Sequence, residues 1–136
     1  MTLCDAGPMV ALVDKRDAHH ARCVAALGTL PAGGLLTTWP CLAEAMYLLG
    51  EVGGWAFQDA LWMYFARGVV RLHPPTGNEW ERARALMRAY SDTPMDFADA
   101  SLVAAAEGLN LRQVFTVDHH FHVYRQQQGH AFEVVP

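Results

Sequence analysis

Four acidic residues of this sequence stand where an acid needs a reason. Asp5 follows the apolar pair Leu3-Cys4 and precedes the apolar stretch Pro8 to Val13, and Asp118 follows Val114-Phe115-Thr116-Val117. Glu44 is alone among Leu42, Ala43, Ala45 and Met46, with Tyr47 and Leu48 one turn on. Asp99 has Leu102, Val103 and Ala106 at i+3, i+4 and i+7, the stripe that a helix turns toward a core. Burying a carboxylate costs on the order of several kcal/mol unless a cation or hydrogen-bond donors compensate. Brought together, carboxylates from four distant segments would suit a hard divalent cation such as Mg²⁺ or Mn²⁺, which prefers oxygen ligands. Each acid also has a plainer reading. Asp5 and Asp118 would cap the helices that follow them, and Asp99 would complement a helix dipole beside the cap Asp96. Glu44 would be an exposed polar position on a mostly buried helix.

Other chemistries lack their residues. The sequence has no G-x-S-x-G nucleophile elbow, no G-x-x-x-x-G-K-[ST] loop and no G-x-G-x-x-G loop. Asp5 is followed by Ala6 and Gly7, so a phosphotransfer aspartate with a second Asp two residues on is also missing. The seven histidines include His19, His20, His119, His120 and His122. His119 and His122 would share a helical face, but no partner completes a zinc spacing. The three cysteines, Cys4, Cys23 and Cys41, are odd in number and widely spaced, which suits reduced thiols.

Positioning these acids requires elements of two kinds. Short β-like stretches read as Thr2 to Cys4, Leu35 to Thr38, Val69 to His73, Gln113 to Val117 and Phe132 to Val135. The segments between the first four are too long for hairpins and carry helical periodicity, so the strands are expected to be parallel with helical crossovers. The helical segments are Pro8 to Val13, Asp17 to Leu27, Pro40 to Gly50, Trp55 to Arg67, Asn78 to Tyr90, Asp96 to Glu107 and Asp118 to Gln126. Asp17 and Asn78 are expected N-caps, Pro40 suits a first helical position, and Gly28, Gly68 and Gly108 are expected stops. Gly53-Gly54 should fold the middle region into an αα-hairpin. Trp55, Trp62, Met63, Phe65 and Trp80 are expected at helix interfaces. A stripe on the hairpin offers a second possibility, a partner surface. Arg82, Arg84 and Arg88 read as a solvated basic face, with guidance of a nucleic-acid strand as the alternative.

The bulk numbers agree with a single domain over residues 1–136, 52% hydrophobic and 18% charged. No apolar run approaches the roughly 20 residues of a membrane span, so the expected location is the cytoplasm. A formal net charge of −4 disfavours a sequence-independent polyanion binder. Contact with nucleic acid would need a bound cation or a basic partner to offset it.

Four segments together give the sequence a family resemblance. They are Leu3-Cys4-Asp5 leading to Val10-Ala11-Leu12-Val13-Asp14 and Asp17-Ala18-His19-His20; Thr37-Thr38 followed by Leu42-Ala43-Glu44; Tyr90-Ser91-Asp92-Thr93-Pro94-Met95-Asp96-Phe97-Ala98-Asp99-Ala100-Ser101-Leu102; and Phe115-Thr116-Val117-Asp118-His119-His120-Phe121. The chain resembles the PIN-domain ribonucleases, especially VapC-type toxins of toxin–antitoxin pairs. The resemblance implies an α/β fold, a three-layer α/β/α sandwich around a parallel sheet of four to five strands. It implies a catalytic quartet of Asp5, Glu44, Asp99 and Asp118, with Asp5, Asp99 and Asp118 on the metal, and it makes Asp96 and Thr116 secondary candidates. It further implies Mg²⁺ or Mn²⁺, an RNA substrate, a homodimer, and a small antitoxin that blocks the acidic site. Ala6, where the family often has Thr or Ser, and the pair His119-His120 depart from the pattern without removing a ligand. The competing expectations are a catalytically weak binding module of the same fold, and a nuclease directed at DNA.

Overall fold

The computed structural model describes every residue, Met1–Pro136. Five strands form one sheet: β1 (Thr2–Cys4), β2 (Leu35–Thr38), β3 (Val70–His73), β4 (Gln113–Phe115) and β5 (Glu133–Val135). All pairings are parallel, in the order β3-β2-β1-β4-β5. Five helices cover the faces: α1 (Ala6–Val13), α2 (His20–Leu27), α3 (Trp39–Ala66), α4 (Glu79–Ala89) and α5 (Phe97–Leu109). The result is a three-layer α/β/α sandwich. Residues of β1 and β2 are buried on both sides, which is why these strands read as unbroken apolar or Thr-containing runs rather than alternating ones.

The strand order fixes where a site can form. From β1 the chain moves outward through β2 and β3, and then returns to the other side of β1 for β4 and β5. β1 and β4 are therefore the neighbours at which the order reverses, and the crevice beyond their carboxyl ends is the place where open α/β sheets bind ligands. Asp5 leaves β1 and Asp118 lies three residues beyond the end of β4. The helix α5 packs on β1 and β2 and reaches the same edge with its first turn.

Local sequence explains most boundaries. Pro40 occupies the first turn of α3, and Gly68 stops the chain after α3 with φ 72°. The middle region bends at Gly54, whose φ 66° and ψ −155° only glycine adopts readily. Gln58 Nε2 donates to the Met46 carbonyl at 3.0 Å, across a separation that a straight helix would hold about 18 Å apart, so α3 is the expected αα-hairpin.

Five expectations need correction. The segment Asp118 to Gln126 forms only a 3₁₀ turn, His119–His122, after which Arg125 Nη1 donates to the carbonyls of His122, Val123 and Tyr124. Gly108 lies inside α5, and the stop is Asn110, left-handed at φ 55° and ψ 43°. Helix α2 begins at His20: Asp17 builds a preceding turn by accepting from the His19 N–H, and Asn78 fills its cap position without a side-chain bond. The aromatic residues assigned to helix interfaces are largely outside. Trp55, Trp62, Met63 and Trp80 are exposed, on the outer faces of the α3 hairpin and α4, where no further layer covers them. Arg82 is not merely solvated, since it forms a bidentate pair with Glu107 at 2.7 and 2.9 Å that ties α4 to α5.

Candidate metal centre

Asp5, Asp99 and Asp118 meet beyond the β1–β4 edge, each with one carboxylate oxygen within 4.8 Å of those of the other two. Asp5 and Asp99 are buried and Asp118 is half-buried. Each is delivered by a different element. Asp5 caps α1, its Oδ1 accepting from the Ala6 N–H at 2.7 Å. Asp118 caps the 3₁₀ turn through Oδ1 and the His120 N–H at 2.9 Å. Asp99 sits in the first turn of α5, whose cap is Asp96: Asp96 Oδ1 accepts from the Asp99 N–H at 2.8 Å. Capping and site-building are therefore not alternatives, because a residue at a strand exit can do both with its two oxygens.

Neighbouring hydroxyls aim the acids. Thr116 donates to Asp5 Oδ2 at 2.8 Å while its oxygen accepts from the Asp118 N–H at 3.0 Å, which couples two of the three carboxylates. Tyr124, fully buried, donates from its hydroxyl to Asp99 Oδ2 at 2.8 Å. Its ring is held edge-on by Tyr90 and Phe121 at 5.2 and 5.1 Å. The Cys41 Sγ lies 3.8 Å from Asp5 Oδ1 and also reaches the Ala98 carbonyl at 3.5 Å. Burial first, and then the Asp5 charge, push the Cys41 thiol far up, so it is a neutral neighbour and not a thiolate ligand.

No positive side chain compensates the buried pair. The close contacts between basic and acidic side chains are His73–Glu79, Arg82–Glu107 and His120–Asp118, and none involves Asp5 or Asp99. Burial, joined by the charges of Asp5, Asp96 and Asp118, therefore raises Asp99 to about 7 despite the Tyr124 hydrogen bond. Burial likewise raises Asp5, against the opposing bonds from Thr116 and Ala6. A cluster of hard oxygen donors without a cation of its own is the arrangement that a divalent ion stabilises. Asp5, Asp99 and Asp118 thus fit such an ion, and no histidine or cysteine enters the group.

Glu44 is exposed on α3 and lies outside the trio. It is still close enough for partial burial, and then the charges of Asp96, Asp5 and Asp118, to raise its carboxyl. Asp96 is exposed and acts as the α5 cap. His120 Nδ1 stands 3.1 Å from Asp118 Oδ1, and the His119 ring lies beside that of His120, at 4.4 Å between centroids. Tyr124 and Cys41 carried no signal in the sequence. Each looks like an ordinary core residue until the fold sets it against an acid.

The PIN-domain family model matches residues 2–126. The chain belongs to the PIN-domain family. Among solved structures, this PIN domain is similar to Mycobacterium tuberculosis VapC20, described as a sarcin-ricin loop cleaving toxin, with 20% identity, TM-score 0.79, and 87% of this chain and 90% of that one covered. It is also similar to VapBC2 from Rickettsia felis, bound to a DNA fragment from its promoter, at 11% identity and TM-score 0.69 over 99% and 98% of the two chains. A toxin–antitoxin complex from Klebsiella pneumoniae matches at 18% identity and TM-score 0.65, with 87% of each chain covered. At these identities the likeness is one of fold. Among curated proteins, none is significantly similar in sequence.

Proposed function

We propose that this PIN domain is a metal-dependent endoribonuclease, the toxin of a type II toxin–antitoxin pair, acting in the cytoplasm as a single nuclease domain over residues 1–136. The observation that carries the reading is the convergence of Asp5, Asp99 and Asp118, two of them buried, with no cation paired to those two. Asp5 and Asp99 are the direct ligands for Mg²⁺ or Mn²⁺, Asp118 completes the set, and Glu44 acts from the rim on solvent or a second ion. When bound, such an ion supplies Lewis-acid stabilisation of the phosphoryl charge and an activated water. The chain's own part is orientation. Thr116 locks the Asp5 and Asp118 geometry, Tyr124 locks Asp99, and the first turns of α1 and α5 bring helix dipoles that temper the crowded negative charge.

The resemblance of the fold to toxins and toxin–antitoxin complexes supports an antitoxin partner, and the acidic centre suits a basic side chain laid into it. A homodimer is supported by the exposed apolar stripe of Tyr47, Val52, Trp55, Trp62 and Met63 on the α3 hairpin. The experiment is RNA cleavage with Mg²⁺ or Mn²⁺, comparing wild type with Asp5→Asn and Asp99→Asn after circular dichroism has shown both variants folded. Cleavage falls to background in both variants and in excess chelator; wild-type activity in either variant would sink the assignment.

A further inference from the structure

Beside the acidic centre lies a second feature that the metal chemistry does not use. A cavity of about 410 Å³ opens between the first turns of α3, α4 and α5 and the end of β3. Its mouth carries three aromatic side chains, Trp39, Trp80 and Phe97, exposed by 54%, 66% and 54%. Its wall includes a polar pair: the His73 ring, buried, holds Glu79 Oε1 through Nε2 at 2.7 Å, and Thr76 donates to the same oxygen at 3.1 Å. The second ring nitrogen of His73 has no protein partner and yet is not a sealed, unsatisfied atom, so it is open to a hydrogen bond from a ligand.

The cavity borders the metal centre across Cys41, which stands between Asp5 and the Thr38 and Ser101 hydroxyls that line the slot. Phe97 adjoins Asp96 and lies two residues from Asp99, and Trp39 and Pro40 precede Cys41, whose thiol touches Asp5. On the shared wall, Thr38 and Ser101 are joined hydroxyl to hydroxyl at 2.7 Å. A strand whose phosphate sat on the carboxylates would run close to this slot.

We propose that the slot receives an unpaired nucleobase of the RNA substrate next to the scissile phosphate, stacked between the exposed aromatic rings with its edge toward His73. This rests on the ribonuclease reading above. Two observations favour a base over other occupants. Exposed aromatic side chains around a largely apolar slot that also holds the His73–Glu79 pair suit a base, which has two π-faces and a hydrogen-bonding edge. The volume is in the range of small-ligand pockets and is too small for a helix. With a net charge of −4 and no Lys or Arg lining the slot, affinity for a strand there would come from stacking rather than from neutralising its backbone.

The test compares Trp80→Ala, Phe97→Ala and the conservative Trp80→Phe with wild type. Binding of short single-stranded homopolymer oligoribonucleotides is measured by fluorescence anisotropy in the Asp99→Asn background, where no cleavage intervenes. Cleavage of the same oligomers, intact or with one abasic position, is measured in the wild-type background. Both alanine variants weaken binding on the order of ten-fold and raise KM with little change in kcat, and Trp80→Phe restores most of the loss. An abasic position next to the cut slows wild type but not Trp80→Ala. Unchanged RNA binding in both alanine variants would overturn the slot and leave the metal centre standing. So would a loss confined to binding of a basic antitoxin peptide. If wild type cleaves nothing, the ribonuclease reading fails, and the anisotropy comparison still decides whether the slot holds a base.

Discussion

The Tyr124 hydroxyl and the Asp99 carboxylate form the contact on which the centre's charge state turns. Burial lifts Asp99 to about 7, so near neutral pH this carboxyl is poised between an acid and a ligand, and the Tyr124 bond favours the ligand form. Tyr124→Phe removes that donor while keeping the packed ring. It should weaken Mn²⁺ binding by about 10–100-fold and move the pH at which metal binds upward, as read by titrations at several pH values. Asp99 also carries a stability consequence. Its carboxyl holds a proton in the folded chain between the ordinary value of 3.8 and about 7, a range in which the unfolded chain has lost it. For this group, metal-free stability is therefore fully present below about pH 4 and declines as pH rises toward 7. Asp99→Asn removes the buried charge and should raise metal-free stability at pH 7.5 by roughly 1–3 kcal/mol in urea unfolding, while abolishing metal binding.

At the scale of elements, the backbone joins what the sequence separates. All five strands and the crossover pattern were legible, because parallel strands buried on both faces leave short apolar runs spaced by helical periodicity. Asp5, Asp99 and Asp118 were legible because each is an acid where the pattern demands an apolar residue or a cap. The region after β4 was not. His119 to Gln126 has enough apolar residues for a helix, but the chain turns after His122, with Arg125 bonded to the carbonyls of residues 122–124 and the Gln126 N–H to the His130 carbonyl, contacts that periodicity does not encode. Tyr124, which reaches Asp99, lies just past this turn, so the missed residue belongs to the misread element. The α3 hairpin was legible from Gly53-Gly54, and it makes a sharp prediction. Nothing lies within 4 Å of a Cβ built on Gly54, so Gly54→Ala meets no clash and pays only for the backbone. The variant should lose about 1–3 kcal/mol in urea unfolding with the metal centre intact.

For the whole molecule, a chain of net charge −4 concentrates several acids at one edge of its sheet and leaves exposed aromatic surface beside them and on the α3 hairpin. The acidic edge weakens the metal-free fold, and a divalent cation bound to the folded state alone reverses that by mass action. On the proposed reading, metal binding, proton release and stability form one linked equilibrium. Calorimetric titration of the metal-free protein with Mn²⁺ near pH 7, in two buffers of different ionisation heat, measures that link directly. The predicted result is saturable binding with a heat that depends on the buffer, because protons leave Asp99 and its neighbours, and with no binding in Asp99→Asn. No binding by the wild type at millimolar Mn²⁺, or equal binding by Asp99→Asn, would contradict the carboxylate centre.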